Sequence, residues 1–348
     1  MKLHIFHFFA VFVALAPFPT FSEVDQAAEL AAKDFLKNYN DIVPKEDYKT
    51  SVASWNYATN LTDHNKAMKT NISLVFSAFY KQMRENATNF DTSKLSADTA
   101  RQIKFITSTA TPKDAETLRK LTELESEMEE IYSTGKVDDK GKKLSLNPDL
   151  YKILSTERNY DRLLFAWKGW RDAVGPKLRN KYTEFVRLKN EGATENGWKD
   201  IGQYWRSWYE VEDLEGMVEG FWNKLRPLYQ ELHAYVRYKL SKKYPQMSTD
   251  GPIPAHLLGN MWAQSWVNIY DLVEPYKGKP SLDVTANMKK QNYNADKMFR
   301  LAESFFTSIG LEPLPSSFYN NSMITKPEGR EVICHASAWD FGINKDVR

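Results

Sequence analysis

The chain has 348 residues and a mass of 40.3 kDa, enough for one large or two ordinary domains with a sizeable core. Lysine and arginine number 47 against 45 aspartate and glutamate residues, and 42% of the residues are apolar. Proteins that bind nucleic acid through its phosphates carry an excess of basic residues, so this composition argues against a nucleic-acid partner.

The first 22 residues have the pattern of a cleaved secretory signal. Lys2 and His4 precede an apolar run over residues 5–16, and prolines and small residues follow it up to Ser22. The run is shorter than the ~20 residues of a membrane-spanning helix, and no comparable run occurs later. We therefore expect a secreted, extracellular protein with no membrane anchor in this chain. The alternative is an N-terminal helix of the core.

Four Asn-x-Ser/Thr sequons and a lone cysteine can be interpreted if the chain is secreted. The sequons predict glycosylation at Asn60, Asn71, Asn86 and Asn320. The first three lie in one N-terminal segment, which we therefore expect to face solvent. Cys334 is the only cysteine. An odd thiol in a secreted chain indicates either a missing disulfide partner or a reactive group, and we favour the missing partner.

Two helical segments are predicted at the start of the mature chain. A capping sequence at residues 22–25 precedes apolar residues at helical spacing, and we expect this helix to end before Pro44. Residues 48–80 repeat the helical pattern with asparagine and threonine interruptions. This segment and the next one could form a lid of helices.

A third helix is predicted from Thr111 and Pro112, which suit an N-cap and a first helical position, to Gly135, which suits a stop. Its acidic residues are closely spaced: Glu123, Glu125, Glu127, Glu129 and Glu130. Such a run could be taken for a catalytic or metal-binding cluster, but it fits a solvated helix face better.

The middle of the chain continues the helical pattern. Residues 136–148 resemble a polar loop, and the next amphipathic helix should end at residues 175–176, a Gly-Pro pair. The longest apolar stripe covers residues 217–240, and Pro227 should bend it or end its first half. No sustained alternation of period two occurs before residue 331. The predicted fold class is therefore mainly α, with at most a short β element near the C-terminus.

The stretch after Pro254 is the most informative internal one. Four uncharged polar residues follow one another at every fourth position: His256, Asn260, Gln264 and Asn268. On a helix this spacing places them on one face. Such a helix could line a cleft, or it could be buried with ordinary internal hydrogen bonds, and the pattern alone favours the second interpretation.

No local motif supplies catalytic chemistry. The sequence lacks His-Glu-x-x-His, and a zinc site needs three or four converging ligands, so we expect no zinc site in this chain. A Gly-x-Ser-x-Gly nucleophile elbow is also missing. Catalytic triads assemble in space rather than in sequence, so a Ser-His-Asp or Cys-His arrangement stays open. On residues alone, an active enzyme is not the best-supported interpretation.

The end of the chain has the pattern of half a β-hairpin. Residues 332–334 are apolar and β-branched up to Cys334, and residues 342–345 have turn composition. The returning strand is expected where the sequence ends.

Two of these stretches are similar to the angiotensin-converting enzyme family, which are secreted zinc peptidyl-dipeptidases. They are residues 254–264, Pro-Ala-His-Leu-Leu-Gly-Asn-Met-Trp-Ala-Gln, and residues 329–341, Gly-Arg-Glu-Val-Ile-Cys-His-Ala-Ser-Ala-Trp-Asp-Phe. Weaker matches lie at 164–167, 169–171, 205–209 and 232–237. The resemblance covers essentially the whole mature chain. It implies a helical domain with a deep cleft between two halves and a lid of N-terminal helices.

The resemblance implies roles for single residues. Gln264 would bind the C-terminal carboxylate of an oligopeptide substrate. His335, Ala336, Ser337 and Ala338 would run along the substrate like an added strand, with His335 touching the substrate residue next to the scissile bond. Glutamine at position 264 favours the dipeptide-releasing branch of the family over its carboxypeptidase branch.

The resemblance also implies two chloride sites, with Arg171 at one and Tyr209 at the other. In the family, the zinc motif and the cysteine that pairs with Cys334 both follow the matched segment, and here they would lie beyond Arg348. The cysteines of an earlier family disulfide have no counterparts in residues 136–148.

We therefore expect residues 23–348 to be the N-terminal, zinc-free part of such a peptidase domain. Without metal there is no Lewis acid and no activated water, so the chain should be inactive alone. It should also fold poorly, since half of a two-sided core would be exposed. The alternative is a short, non-catalytic secreted protein that binds peptides or proteins through the retained half-cleft.

Overall fold

The structure is a computed structural model that describes residues 24–279 and 283–348. Its helices are α1 (Gln26–Thr59), α2 (Asp63–Ala87), α3 (Ala97–Thr107), α4 (Ala115–Thr134), α5 (Tyr151–Thr156), α6 (Tyr160–Glu195), α7 (Ile201–Ser207), α8 (Leu214–Lys243), α9 (Tyr270–Val273), α10 (Thr285–Lys290), α11 (Ala295–Ser308) and α12 (Ser316–Asn321). The prediction of a mainly α fold is confirmed. The predicted signal over residues 1–22 lies outside the described residues.

None of the described helices combines the length and the apolar composition that crossing a membrane requires.

A short hairpin replaces the polar loop predicted at residues 136–148. Strands β1 (Lys136–Asp139) and β2 (Lys142–Ser145) are antiparallel, with Val137 opposite Leu144. The intervening Lys140 and Gly141 both have positive φ, 54° and 92°, as a tight two-residue hairpin turn requires. Val137 and Leu144 are the buried residues of the hairpin. One buried residue per strand is too short a pattern for the alternation to be recognised in the sequence.

Two predicted helix ends at prolines are wrong, because α1 continues through Pro44 and α6 through Pro176. Helix α8 also continues through Pro227, so of the two alternatives given for that proline the helix end is wrong. An interior proline removes one helical hydrogen bond and crowds the preceding turn. Each of these helices has 30 or more residues, so most of its hydrogen bonds on both sides of the proline are unaffected.

Helix α4 confirms one boundary and corrects another. Its N-cap is Asp114, whose carboxylate accepts a 2.7 Å hydrogen bond from the Thr117 amide, so the helix begins three residues after the predicted Thr111 and Pro112. Pro112 is instead buried beside Gly192 of α6. The helix ends at Thr134, directly before Gly135, as predicted.

The described chain separates into two compact units, and the smaller one contains residues 24–41 and 81–108. Its apolar core is formed by Ala32, Leu36, Ala87, Leu95, Ile103 and Ile106. The buried carboxylate of Glu29 accepts hydrogen bonds from the Ser96 amide (2.9 Å) and from the Ser96 and Thr99 hydroxyls (2.8 and 2.7 Å). These bonds, that of the Ser96 amide first, lower the pKa of Glu29 to about 2. Glu29 thereby links the start of α1 to the N-terminus of α3.

The larger unit contains residues 42–80 and 109–348. The ring of Trp170 on α6 is buried in its core, with the Tyr132 ring of α4 edge-on at 5.4 Å. Val137 and Leu144 of the hairpin, Val236 and Leu240 of α8, and the segment from Ile253 to Met261 complete this core. The core therefore lies on α6, with the hairpin, α4 and the second half of α8 packed against it.

The acidic residues of α4 form ion pairs rather than a free solvated face. Glu125 and Glu127 pair with Lys189 (2.8 Å) and Lys181 (2.5 Å) of α6. Three further pairs join Glu123 to Arg119, Glu129 to Lys69 and Glu130 to Lys66. All are partly exposed, so each stabilises the fold by only about 0–1 kcal/mol. The pairs of Glu125 and Glu127 lie on the face of α4 that is turned toward α6.

The C-terminal turn is confirmed, but the strands beside it are not those expected. Trp339 and Arg348 exchange backbone hydrogen bonds of 2.7 and 2.9 Å, and the Phe341 amide donates to the Asp346 carbonyl at 3.1 Å. Residues 339–341 thus pair with residues 346–348 around the turn at 342–345. The segment before them pairs elsewhere, because the Ile333 amide donates to the Ala58 carbonyl at the end of α1 (2.8 Å).

Candidate functional site

The loop that presents Gln264 is held by one asparagine side chain. The Oδ1 atom of Asn260 accepts hydrogen bonds from the backbone amides of Trp262 (3.0 Å) and Gln264 (3.2 Å). Gly259 and Ala263 both have positive φ, 88° and 55°. An asparagine that captures nearby amides competes with helical hydrogen bonds, so the chain turns here instead of forming the predicted helix.

The predicted polar helix face is therefore wrong. The stretch forms two short 3-10 turns, Ala255–Leu257 and Val267–Ile269, instead of one helix, and the four polar side chains separate. His256 is buried, with its ring edge-on to Tyr160 at 4.6 Å, whereas the Asn268 amide donates to the Gly259 carbonyl at 3.0 Å. Gln264 is exposed. Of the four, His256 alone is buried, and its Nε2 atom has no hydrogen-bond partner among the described residues. The internal hydrogen bonds of the second interpretation are made by Asn260 and Asn268 instead.

A cavity of about 1180 Å³ contains Gln264, Cys334 and His335 in its lining. The other walls come from the end of α4, the hairpin, the middle of α6 and the start of α5. The cavity therefore brings together two segments that are 71 positions apart in sequence, around residue 264 and around residue 335.

The segment that leads to His335 is held from two sides. The Glu331 carbonyl accepts a 3.0 Å hydrogen bond from the Leu61 amide. Its carboxylate lies between Lys326 (3.0 Å) and Lys136 (3.2 Å) of the hairpin, and these bonds, that of Lys326 first, lower the pKa of Glu331. The His335 amide then donates to the Ile333 carbonyl at 3.0 Å. The backbone that carries His335 is thus fixed while its side chain stays exposed to the cavity.

Residues 336–338 lie beyond the cavity lining. Ala336, Ser337 and Ala338 are exposed, and no backbone hydrogen bond joins them to the rest of the described chain. The Ser337 hydroxyl accepts a 2.9 Å hydrogen bond from the Trp339 indole. Their backbone amides and carbonyls are available to an added peptide strand.

Aromatic side chains form one wall of the cavity. The Trp262 indole donates a 2.9 Å hydrogen bond to the Tyr132 hydroxyl, and the Tyr151 ring lies edge-on to Trp262 at 5.4 Å. Burial raises the pKa of Tyr151, so its hydroxyl stays neutral at physiological pH. This wall can hold apolar side chains of a ligand while Tyr132 and Tyr151 offer polar tips. Its residues come from α4, α5 and the Asn260 loop, so no spacing in the sequence indicates this wall.

Arg171 and Trp167 form a second candidate binding site. The Arg171 guanidinium donates to the carbonyls of Met261 (2.7 Å) and Trp167 (3.2 Å) and stacks 3.8 Å from the Trp167 ring centre. It has no carboxylate partner among the described residues, and burial lowers its pKa. The Nε1 atom of Trp167 is buried without a hydrogen-bond partner in the described chain. An uncompensated cation beside an unused N–H donor fits a small anion.

Tyr209 is 69% exposed and follows α7 in a turn, where its amide donates to the Arg206 carbonyl at 3.1 Å. Its predicted role at the second chloride site stays a prediction.

The described residues do not fit zinc. No group of three His, Cys, Asp or Glu side chains lies close enough to hold a metal ion in residues 24–279 and 283–348. Cys334 is a free, half-buried thiol in the cavity wall. No step of a zinc-dependent reaction is therefore assigned to these residues.

The four sequons differ in accessibility. Asn71 on α2, Asn86 near its end and Asn320 on α12 are exposed. Asn60 is half-buried, and its carbonyl accepts a 2.8 Å hydrogen bond from the Asn65 side chain. Glycosylation stays a prediction at all four positions.

Comparison with known proteins gives one consistent match. The model of a peptidase family described as angiotensin-converting enzyme matches residues 26–348. The angiotensin-converting enzyme of Theromyzon tessulatum is 46% identical over 333 residues, which are 92% of this chain and 54% of the relative. Those of Rattus norvegicus and Bos taurus are 44% and 43% identical over 338 and 333 residues, which are 92% of this chain and 25% and 26% of the relatives. The chain thus spans about half the length of the first relative and about a quarter of the other two.

Proposed function

Since the chain belongs to the angiotensin-converting enzyme family, we propose that residues 23–348 are the N-terminal part of a zinc peptidyl-dipeptidase domain. The complete domain would release C-terminal dipeptides from oligopeptides. In this proposal the described residues bind and orient the peptide, while the zinc that activates water is held by residues outside them.

The observation that carries this proposal is the shared cavity of Gln264 and His335. Gln264 is a neutral amide whose NH₂ group can donate to the C-terminal carboxylate of a peptide. The Asn260 side chain fixes its backbone, and the Glu331 ion pairs fix the backbone that leads to His335. A peptide that reaches both residues would be held with its terminal carboxylate at a defined distance from His335.

The free backbone of Ala336, Ser337 and Ala338 supports the same proposal. An extended peptide can pair with such a segment through main-chain hydrogen bonds, which hold it without reading its sequence. Binding of this kind suits a peptidase that accepts many oligopeptides. The aromatic wall of Tyr132, Tyr151 and Trp262 would then take apolar side chains of the substrate.

Arg171 fits the proposed chloride site. The guanidinium and the unused Nε1–H of Trp167 are two donors for one anion. Chloride there would neutralise a partly buried cation that has no carboxylate partner in the described chain. Tyr209 would belong to the second chloride site, as the resemblance implies.

We further propose that the chain is secreted and glycosylated at its sequons, that Cys334 forms a disulfide in the complete domain, and that the chain alone is inactive. A dipeptide released from an oligopeptide by the purified chain, in a reaction that a zinc chelator stops, would contradict the last of these statements.

Peptide binding to the chain alone tests the cavity. The probe is a fluorescent tripeptide with a free C-terminal carboxylate, measured by anisotropy against the same tripeptide with a C-terminal amide. The carboxylate form should bind at least tenfold more tightly. Gln264→Ala should weaken binding of the carboxylate form about tenfold, since a hydrogen bond to a charged group contributes about 1.5 kcal/mol.

The matched control is Gln26→Ala, which removes an exposed glutamine at the start of α1 and should leave binding unchanged. Equal affinity for the carboxylate and amide forms, or an unchanged affinity in Gln264→Ala, would contradict the proposal.

The second candidate is a non-catalytic secreted protein that binds peptides. The described residues form the cavity but include no group of metal ligands. This combination supports peptide binding without catalysis as the alternative. The two candidates differ in one result: only the peptidase part should regain dipeptide release when the missing half of the domain is supplied.

A further inference from the structure

Three lysines and one arginine line the cavity, and the arginine is the one without an ion pair. Lys136 and Lys326 share the Glu331 carboxylate, at 3.2 and 3.0 Å, and Lys143 pairs with a neighbouring aspartate at 2.5 Å. Arg179 on α6 has no carboxylate partner in the described part of the chain. Its positive charge therefore faces the cavity without a counter-charge.

The other two carboxylates of the cavity lining have partners of their own. Glu129 on α4 pairs with Lys69 on α2 at 3.7 Å. Asp149 accepts hydrogen bonds of 2.9 Å from both the amide and the hydroxyl of Ser145. Neither forms an ion pair with Arg179, so the described lining does not neutralise this guanidinium.

Arg179 belongs to the face of α6 that lines the cavity. Gly175, Leu178 and Tyr182 line it as well, at the spacing of three and four residues that marks one side of a helix. Arg179 is exposed and Tyr182 is 60% exposed. Neither the guanidinium nor the Tyr182 hydroxyl makes a hydrogen bond within the residues that the structure describes. A ligand can therefore use these donors without breaking an existing contact.

A guanidinium with free N–H groups is suited to a carboxylate, which it can bind through two parallel hydrogen bonds. The cavity volume of about 1180 Å³ exceeds the ~300–1,000 Å³ that is typical of a small-molecule site. A peptide bound at Gln264 thus has room to extend a side chain toward α6.

We propose that Arg179 determines substrate specificity by pairing with an acidic side chain, aspartate or glutamate, of the bound oligopeptide. The inference rests on the proposed function and deepens it, because it names acidic oligopeptides as the preferred substrate class. A peptide carries a second carboxylate at its C-terminus, which the proposed function assigns to Gln264. The test therefore separates the two carboxylates.

The probes are two fluorescent pentapeptides with the same label and a free C-terminus, one with glutamate and one with glutamine at the same interior position. Each of the three interior positions is tested in turn by anisotropy on the full chain. At one position the glutamate probe should bind about three- to fivefold more tightly, the size expected for an ion pair that water still reaches. The preference should vanish at about 1 M salt, which screens such a pair.

Two variants test the residue itself. Arg179→Gln should weaken binding of the glutamate probe until the two probes bind equally. Arg179→Glu should reverse the preference, so that a probe with lysine at that position binds more tightly than the glutamate probe. The side chain is exposed and makes no hydrogen bond in the described chain, so both variants should keep the helicity of wild type, which circular dichroism checks.

The matched control is Lys177→Gln. Lys177 is also an exposed cation of α6, but it lies about 160° around the helix from Arg179 and outside the cavity lining. Its replacement should leave the preference for the glutamate probe unchanged. An equal loss of preference in both glutamine variants would mean that only the overall charge of the chain matters, and it would overturn the proposal.

Three further results would also overturn the proposal. They are equal affinity of the two probes at all three positions, a preference that survives in Arg179→Gln, and an equal loss of affinity for both probes in Arg179→Gln, which would assign Arg179 to the C-terminal carboxylate. The effect of Gln264→Ala on the glutamine probe is measured beside them. If that effect is present and the preference is missing, this inference fails and the proposed function stands, whereas a chain that binds neither probe contradicts both.

Discussion

The two halves of α8 share one helix and one apolar face, yet they lie in opposite environments. Leu240 is fully buried in the core on α6, while Leu228, twelve residues earlier on the same face, is 71% exposed. The periodicity of the sequence is the same in both halves. Periodicity therefore tells which face of a helix is apolar, and only the neighbours of that face decide how much it stabilises the fold.

The largest difference should appear when the same side chain is shortened in each half. Leu240→Ala removes a buried side chain and leaves a cavity, so it should lower the free energy of unfolding by about 2–5 kcal/mol. Leu228→Ala should change it by less than about 0.5 kcal/mol. Urea denaturation of the isolated chain, followed by fluorescence, measures both.

Similar losses in Leu240→Ala and Leu228→Ala would show that the first half of α8 is covered in the isolated chain. The contrast between the halves would then be wrong.

Acidification should have a smaller effect on the free energy of unfolding, and this effect should come from the buried core. His256 lies in the part of the core that contains Leu257 and Leu258, with Tyr160 against its ring, and burial lowers its pKa from 6.5. The unfolded chain then takes up the proton first as pH falls, so stability should decrease below about pH 6.5. Denaturation midpoints between pH 7.5 and 5 measure the slope.

His256→Leu should flatten this slope, because the substituted side chain cannot be protonated in the unfolded chain. The matched control is His233→Leu on α8, which lies outside the buried core and should leave the slope unchanged. If His256→Leu keeps the wild-type slope of stability against pH, other titratable groups cause the pH dependence.

The last comparison replaces a glycine by alanine in each environment, in the exposed half of α8 and in a tightly packed part of α6. An added Cβ at Gly220, in the exposed half of α8, meets no atom within 4 Å, so Gly220→Ala should stabilise this helix by about 0.5–1 kcal/mol. Hydrogen exchange of residues 215–232 should slow accordingly. At Gly192 on α6 an added Cβ would lie 2.4 Å from the Ala110 carbonyl oxygen, so Gly192→Ala should destabilise the chain instead.

A faster exchange in Gly220→Ala would mean that this glycine serves a contact or a bend that the exposed helix does not show.

The fold class and several boundaries could be predicted from the sequence because they depend on local chemistry. Gly135 ends α4 and residues 342–345 form a turn, both as expected. The helix ends predicted at prolines were wrong because an interior proline removes only one helical hydrogen bond. At Pro176 the apolar face of α6 on both sides of the proline packs on the core, and this burial offsets the loss. Burial overrides the local preference there.

The site could be predicted only in part. Gln264 and His335 were expected through the family resemblance, and they do line one cavity. The loop around Gln264 was not expected. Its shape depends on the Asn260 side chain, which accepts hydrogen bonds from two backbone amides that would otherwise be part of a helix. The Glu331 ion pair with Lys136 joins residues 195 positions apart, and no sequence spacing indicates such a contact.

That ion pair has a consequence for how relatives of this chain can diverge. Glu331 pairs with two lysines and precedes His335 by four positions, so a change at Lys136 in the hairpin alters the support of another residue of the same cavity lining. Substitutions at positions 136, 326 and 331 are therefore coupled: reversal of the charge at position 331 alone places like charges together at both lysines, and reversal of all three charges restores both attractions. Variation at these three positions should therefore be correlated among relatives of this chain.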